Sequence, residues 1–214
     1  ALVDGISVTF FRTAGVSALA SQFLSREDSE TLLLLGTGNL ARFLIRAHAS
    51  VRPLKNILLW GRTKANAEAV VADMQKELPD IEFVVADDIQ TACGQADIVV
   101  AATGSPDILV QGDWIKEGTH TDFLGNHHAD KRECDTALVV KSKVYLDTYV
   151  NCFNEAGEVL VPIEEGVLKK EDVKGELAEL CMAKVKGRES DSEITLFKSV
   201  GSALSDLAGA NHAF

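Results

Sequence analysis

The stretch Thr31–Arg42 constrains the fold more than any other part of the chain, because a short apolar run ends in glycine there and passes directly into a helical pattern. These features predict a strand over 31–35, a tight turn, and a helix over 39–51. Glycines in the turn let backbone N–H groups approach a diphosphate, and the positive end of the helix dipole faces that charge. The residues predicted to bind a dinucleotide here are Gly36, Thr37, Gly38, Asn39 and Ala41.

A glycine pattern of this kind is weak evidence alone, since an ordinary turn would explain roughly half of such matches. Its setting strengthens it, because a second apolar strand follows at 56–60. That strand ends in Gly61, Arg62 and Thr63, where a site selective for NAD usually carries an acid for the ribose 2′-hydroxyl. A guanidinium and a hydroxyl suit a 2′-phosphate instead. We therefore expect Arg62 and Thr63 to bind NADP(H) in preference to NAD(H); the alternative is that Arg62 and Lys64 are solvated charges.

The charge and cysteine content exclude several classes of partner. Acidic residues outnumber basic ones 32 to 21, for a net charge of −11, which argues against nucleic acid and anionic membrane surfaces. The four cysteines are widely spaced and form no CxxC pair, so they predict neither a zinc site nor a redox pair. With no apolar run of membrane-spanning length and no visible signal peptide, we expect a cytoplasmic protein.

Strands and helices alternate along the middle of the chain, which predicts an α/β fold with a Rossmann-type, doubly wound parallel sheet. The predicted strands are 31–35, 56–60, 81–85, 97–102, 119–124 and 143–146, and the helices among them are 39–51, 64–77 and 88–93. In such folds ligands bind at the carboxyl edge of the sheet. Thr103 and Ser105 directly follow a strand, so we expect them at that edge.

The two ends of the chain carry other patterns. Residues 1–11 predict a β-hairpin with its turn at Asp4-Gly5, and residues 13–24 predict a helix rich in small residues. A lone hairpin is not independently stable, so its partner strands are expected outside this chain. Toward the other end we expect loops and short helices around 155–158 and 162–166, a helix over 175–181, a strand over 192–199 and a helix over 202–210.

Seven short stretches, spread over nearly the whole chain, match one family pattern: Arg12–Ala14, Gly36–Ala41, Trp60–Thr63, Ala96–Val99, Trp114–Gly118, Lys131–Glu133 and Thr195–Gly201. Together they resemble the ornithine cyclodeaminase/μ-crystallin family, which implies a two-lobed homodimer. Residues 1–12 would then be a remnant of the substrate and dimerisation lobe, 13–186 the Rossmann domain, and 187–214 a strand and helix returning to the second lobe. A further segment of about 100 residues, enough for a small lobe, would precede the chain.

The resemblance also implies roles for individual residues. Arg12 would hold a substrate carboxylate; taken alone, it would be read as a surface ion pair. Thr103 and Ser105 would lie near the ribose or nicotinamide, and Ser199 would contact cofactor or substrate. The remaining candidates, His127 and Lys131, are assigned to catalysis.

One position departs from the cyclodeaminase pattern. Where those members carry an aspartate for ring closure and proton transfer, this chain has His127. An imidazole exchanges protons near neutral pH, so it suits protonation of a reduced imine. The alternative is that His127 and His128 belong to an ordinary polar loop. A metal site that also includes His120 is not expected, since nothing fixes a tetrahedral set.

These observations favour an NAD(P)H-dependent reductase of a small cyclic imino acid, such as pyrroline-2-carboxylate or piperideine-2-carboxylate, or a related amino-acid dehydrogenase. One alternative is ornithine cyclodeaminase, in which NAD is a recycled oxidant and ornithine gives proline plus ammonia. Another is a non-catalytic binder of NADP and a small ligand, as in the μ-crystallins. Binding and catalysis would use the same residues, so the sequence leaves these alternatives open.

Overall fold

A computed structural model describes residues 3–213. Eight strands form one sheet: Thr31–Leu35 (β1), Asn56–Trp60 (β2), Glu82–Val85 (β3), Ile98–Ala101 (β4), His120–Phe123 (β5), Lys143–Leu146 (β6), Gly175–Glu176 (β7) and Thr195–Lys198 (β8). The strand order is β3-β2-β1-β4-β5-β8-β6-β7, and every pair is parallel. The predicted α/β, doubly wound parallel sheet is therefore confirmed, and the six strands predicted in the middle of the chain are each present to within one residue at either end.

Nine α-helices connect or cover the strands of the described region: Gly5–Leu24 (α1), Leu40–Val51 (α2), Lys64–Glu77 (α3), Ile89–Gln95 (α4), Thr136–Lys141 (α5), Tyr149–Glu155 (α6), Gly157–Glu164 (α7), Leu177–Cys181 (α8) and Ala203–Ala213 (α9). Short 3₁₀ turns lie at Gly112–Trp114 and Lys170–Asp172. Within residues 3–213, none of these helices has the length and apolar character needed to cross a membrane.

Both faces of the sheet are buried, as continuous apolar strands require. Leu33 and Leu35 of β1 enter one hydrophobic core, and Leu32 and Leu34 enter a second core on the opposite face. The strands are therefore held between two helical layers, and their carboxyl ends meet along one edge of the sheet.

The first helix corrects a prediction. The hairpin expected over 1–11 is wrong where the structure can be compared, since α1 begins at Gly5; residues 1 and 2 lie outside the described region. Asp4 is not a turn residue but the N-cap of α1, whose carboxylate accepts the N–H of Ser7 at 2.9 Å. The aromatic residues that suggested a strand pack on α2, with ring centroids 4.9 Å apart between Phe11 and Phe43. Tertiary packing outweighs strand propensity here.

The later part of the chain also differs in detail. The helix expected over 175–181 begins with two residues of β7, and the helices α5 and α6 were not predicted; each starts at a side-chain cap, Asp135 or Thr148. The strand β8 lies inside the sheet, between β5 and β6. The expected boundary between residues 12 and 13 falls inside α1, and the division into lobes stays a prediction.

Candidate active site

The glycine turn after β1 has no room for a side chain at Gly36 but is open at Gly38. Gly36 has φ +121°, and a Cβ at that position would lie 2.5 Å from the carbonyl oxygen of Ala102. Its N–H donates to the carbonyl of Trp60 at 2.9 Å. A Cβ on Gly38, by contrast, would meet nothing within 4 Å. Gly36 is thus required by the close approach of β1 to β4, whereas Gly38 faces open space.

The start of α2 faces the same open space. Asn39 is the N-cap, and its side chain makes no capping hydrogen bond. Ala41 is buried against the core, so the helix packs closely behind the turn. An uncapped helix N-terminus beside an open glycine fits the diphosphate of a dinucleotide, because the exposed N–H groups and the helix dipole both favour an anion.

The end of β2 offers a cationic group. Arg62 and Thr63 are exposed, and Thr63 is the N-cap residue of α3 but its side chain makes no capping hydrogen bond. Lys64 is paired with Asp87 at 2.6 Å, whereas Arg62 takes part in none of the ion pairs found within residues 3–213. Thr37 has a packing role, since a Cβ on Gly61 would overlap its side chain. Arg62 and Thr63 therefore remain available to a ligand.

A buried carboxylate joins the ends of β4 and β5. One oxygen of Glu133 accepts both the N–H of Thr103, at 2.8 Å, and its hydroxyl, at 2.7 Å. The other oxygen accepts the N–H of Gly125 at 2.7 Å. Burial raises the pKa of Glu133, while the bonds from Thr103 oppose that shift. The Thr103 hydroxyl is therefore donated to Glu133, and the two strand ends are fixed relative to each other.

A second carboxylate joins β6 to the segment after β8. Asp147 accepts the hydroxyl of Ser199 at 2.8 Å and the N–H groups of Val200 and Gly201 at 3.0 and 2.7 Å. Ser199 is buried, so its hydroxyl points into the protein in this structure. Gly201 has φ +92°, and a Cβ there would lie 2.9 Å from an Nη atom of Arg12. The Arg12 guanidinium thus packs directly against the turn that Asp147 holds.

Arg12 also forms an ion pair, the alternative considered from its sequence. Its Nε lies 2.8 Å from Oδ1 of Asp206 in α9, and the side chains are 16% and 47% exposed. The ion pair engages Nε, and the structure brings the guanidinium to the carboxyl edge of the sheet. The carboxylate-binding role of Arg12 stays a prediction.

The loop after β5 carries the proposed catalytic residues. His127 and His128 are exposed, and their ring centroids lie 4.6 Å apart with the ring planes inclined by 30°. Lys131 lies in the same loop, and its N–H donates to the His128 carbonyl at 3.1 Å. His120 is buried instead within the sheet, where its Nδ1 lies 2.9 Å from the Thr195 hydroxyl. Residues 3–213 contain no group of three side chains placed to hold a metal ion.

A buried ion pair at the end of β8 contacts the start of this loop. Lys198, at the end of β8, is 0% exposed, and its Nζ lies 2.9 Å from Oε2 of the equally buried Glu158. The same Nζ donates to the carbonyl of Asn126 at 2.6 Å. Glu158 also accepts the N–H of Glu133 at 3.0 Å. The ends of β4, β5, β6 and β8 are therefore joined by one buried set, the strand-end cluster, which consists of Glu133, Asp147, Glu158 and Lys198.

A model of the ornithine cyclodeaminase/mu-crystallin family matches residues 1–213. The chain belongs to this family. The resemblance found in the sequence is thereby confirmed.

Several relatives in the family carry the names of enzymes. The chain is 46% identical over 211 residues to a Δ(1)-pyrroline-2-carboxylate reductase of Colwellia psychrerythraea, covering 99% of this chain and 67% of that protein. The structure of the Thermococcus litoralis Δ(1)-pyrroline-2-carboxylate reductase in complex with NADH and L-proline is similar, with a TM-score of 0.94 and 36% identity, over 98% of this chain and 64% of that one. An archaeal alanine dehydrogenase dimer with bound NAD has a TM-score of 0.89 and 28% identity, over 96% and 62%. This family member thus spans about two thirds of the length of these relatives.

The strand-end cluster is what sequence reasoning missed in this family member. In the sequence, Glu133 and Lys198 are only members of stretches that match the family pattern, and nothing there predicts a role for Asp147 or Glu158. A signal was present for Lys198, a charged residue in the otherwise buried strand β8. Its partners lie far away in the sequence, so the pairing was not readable from local pattern.

A second buried polar group lies on the α1 side of the sheet. The Ser17 hydroxyl donates to Asp122 and lies 2.9 Å from Nε2 of His48; all three residues are fully buried. Burial, with a smaller effect of nearby Arg52, lowers the pKa of His48 to about 4. Burial raises the pKa of Asp122 to about 7, although Ser17 opposes the shift. These shifts make the stability of the folded protein depend on pH through this buried polar cluster, which consists of Ser17, His48 and Asp122.

Proposed function

We propose that the full-length protein is an NAD(P)H-dependent reductase of a small cyclic imino acid, a ketimine such as pyrroline-2-carboxylate or piperideine-2-carboxylate. The observation that carries the proposal is the match of 98% of this chain to a reductase complex that contains NADH and L-proline. The open glycine turn and the uncapped α2 N-terminus support it, since they suit a dinucleotide.

Each part of the proposed reaction can be assigned to residues of this chain. A reduced nicotinamide dinucleotide, when bound, supplies a hydride to the C=N carbon. The turn Gly36–Ala41 would hold the diphosphate, with Thr103, Ser105 and Ser199 near the ribose and nicotinamide. Arg12 would orient the substrate through its carboxylate, for which the planar guanidinium is suited.

The reduction also requires one proton at the imine nitrogen. His127 is exposed on the loop at the ligand edge, so its ring N–H can be replenished from solvent. We assign that proton transfer to a ring nitrogen of His127, with Lys131 of the same loop as a supporting cation. Hydride at carbon and proton at nitrogen together give the saturated cyclic amino acid.

The test is oxidation of NADPH or NADH by the full-length protein with a panel of cyclic imino acids, and with pyruvate plus ammonia for the dehydrogenase alternative. Loss of reduced-cofactor absorbance with a cyclic imino acid supports the proposal. Tight cofactor binding without turnover of any substrate would favour a non-catalytic binder and would overturn it.

Ornithine cyclodeaminase is retained as a second candidate because the family includes that activity by name. The imidazole of His127, where the cyclodeaminase pattern has a carboxylate, weighs against it. Conversion of ornithine to proline and ammonia without net change in NADH would reverse this preference.

We further propose that NADP(H) is preferred over NAD(H). Arg62 is exposed at the end of β2 and is not engaged by any carboxylate in the described part of the chain, and Thr63 beside it has an uncommitted hydroxyl. A charge-assisted bond to a 2′-phosphate contributes about 1.5–3 kcal/mol, or tenfold to a hundredfold in affinity.

A matched pair of variants tests this preference. Arg62→Gln should weaken NADPH binding by about tenfold or more and leave NADH binding within about twofold. Lys64→Gln is the control, since Lys64 already pairs with Asp87. Fluorescence titration of both cofactors measures the effect; equal losses for NADPH and NADH in Arg62→Gln would reject the assignment.

We also propose a cytoplasmic homodimer with a second lobe covering α1 and α9. Ile6, Phe11, Leu204 and Leu207 on these helices are large apolar residues that are exposed, which favours a covering protein surface. The four cysteines are unpaired thiols, in keeping with a reducing compartment. Light scattering of the full-length protein and cell fractionation test the two statements separately.

A further inference from the structure

The buried ammonium of Lys198 calls for an explanation that stability does not supply. A buried ion pair is often no more stabilising than apolar side chains of the same size. Lys198 nevertheless ends a strand whose residues are all buried, and its ammonium group is buried beside the carboxylate of Glu158. The bond that an apolar pair could not replace is the one from Nζ to the carbonyl of Asn126, at 2.6 Å.

Asn126 is the point from which the loop carrying His127 leaves the sheet. Its carbonyl accepts Lys198, and its side-chain amide donates to the carbonyl of Ser105 at 3.1 Å. Asn126 is 4% exposed, whereas His127, the next residue, is exposed. A single residue thus connects the loops after β4 and β5 to the end of β8.

We propose that Lys198 is a positioning residue, which fixes the orientation of the loop 125–131 through the Asn126 carbonyl and so places His127 against the substrate. Lys198 itself touches neither substrate nor cofactor in this proposal. The catalytic consequence rests on the proposed reductase function, whereas the effect on the loop does not.

The experiment compares two variants that differ only in the ammonium. Glu158→Gln keeps Lys198 and its bond to Asn126, and Gln can still accept the N–H of Glu133. This variant leaves the buried ammonium without its counter-charge, and exchange in β1 and β2 measures the resulting loss of global stability. Lys198→Met/Glu158→Gln removes that bond without leaving a buried charge unpaired. If the double variant does not fold, Lys198→Gln/Glu158→Gln replaces it, since the Gln side chain is one atom shorter than that of Lys and does not reach the Asn126 carbonyl.

The first measurement is amide hydrogen exchange in the cofactor-free protein. We expect exchange in 125–131 to be at least about tenfold faster in the double variant than in Glu158→Gln, with exchange in β1 and β2 unchanged, because a bond from a charged donor is lost at one place. Equal exchange in the loop, or an equal rise throughout the sheet, would overturn the proposal, since the latter indicates a loss of global stability alone.

The second measurement is steady-state kinetics of the full-length protein. We expect kcat to fall by about tenfold or more in the double variant relative to Glu158→Gln, with the KM of the cofactor within about twofold. A faster-exchanging loop with unchanged kcat would refute the link to His127. If the wild-type protein reduces no imino acid, the reductase proposal fails while the exchange result still decides the positioning of the loop.

Discussion

Substitution of the two glycines of the turn after β1 by alanine separates the requirement of the fold from the requirement of the ligand. In Gly36→Ala the new methyl would lie 2.5 Å from the Ala102 carbonyl oxygen, on a residue with φ +121°. In Gly38→Ala the methyl would meet nothing within 4 Å. The same chemical change should therefore lower mainly the stability of the protein at Gly36 and mainly its affinity for the cofactor at Gly38.

The magnitude for Gly36→Ala follows from two contributions. A non-glycine residue in a rarely populated backbone conformation costs about 1–3 kcal/mol. Relieving the overlap with the Ala102 carbonyl requires a backbone shift that costs about 1–3 kcal/mol more. Reduced entropy of the unfolded chain returns about 0.4–1 kcal/mol. We expect the free energy of unfolding to fall by about 1–6 kcal/mol in total.

For Gly38→Ala we expect a change in unfolding free energy within about 1 kcal/mol of zero, because the site is open and the unfolded chain is slightly restricted. The methyl would nevertheless occupy the space that a diphosphate must approach. Cofactor affinity should therefore fall by about tenfold or more, the equivalent of about 1.4 kcal/mol.

Urea denaturation without cofactor measures the first effect, and the shift of the denaturation midpoint by added NADPH measures the second. In the wild type, ligand at a hundred times its Kd should raise the unfolding free energy by about 2.7 kcal/mol. Gly36→Ala within about 0.5 kcal/mol of the wild type would contradict the steric reasoning. A Gly38→Ala protein that still gains the full ligand shift would contradict the location of the diphosphate.

Three further predictions concern the buried polar cluster and Arg12. The pKa of His48 in the folded protein is lowered to about 4 from 6.5. The free energy of unfolding should therefore be highest above pH 6.5 and should decrease as the pH falls toward 4. In His48→Gln, urea denaturation across this pH range should show a decrease that is smaller by on the order of 2 kcal/mol. The pKa of Asp122 in the folded protein is raised to about 7 from 3.8, so the free energy of unfolding should decrease as the pH rises between those values. Asp122→Asn should therefore exceed the wild type in unfolding free energy by on the order of 2 kcal/mol at about pH 8 and by little at about pH 4. An equal difference at both pH values would refute the shift. Arg12→Gln should raise the KM of the imino acid about tenfold or more with cofactor affinity unchanged, whereas Asp206→Asn, which removes a half-exposed ion-pair partner, should alter stability by less than about 1 kcal/mol; unchanged KM in Arg12→Gln would remove Arg12 from the substrate site.

The parts of the fold that the sequence predicts well are those with local signals. The strand at 31–35, the turn at Gly36 and the helix that follows are all encoded within about a dozen residues, where apolar period, glycine and helical spacing agree. The start of α1 was misread because Asp4-Gly5 is compatible with both a hairpin turn and a helix cap. Packing of Phe11 on Phe43, more than thirty positions along the chain, decides between them.

The site was predictable only in part, for a related reason. Gly36 and Gly38 can be recognised in the sequence, because a glycine turn between a strand and a helix is a local pattern. The carboxylates that join the strand ends do not: Glu133 meets Thr103 across 30 positions, and Asp147 meets Ser199 across 52. Buried hydrogen bonds of this kind depend on tertiary proximity, which no local pattern contains.

The position of β8 has a consequence for how the protein is made. Residues 195–198 are the last strand to leave the ribosome within this chain, yet they supply the neighbours of both β5 and β6. Until they emerge, β6 has no strand through which it and β7 can pair with the rest of the sheet, and one edge of β5 is unpaired. Completion of the domain during translation must therefore wait for its final strand, and nascent chains halted before it would expose that edge to association with other molecules.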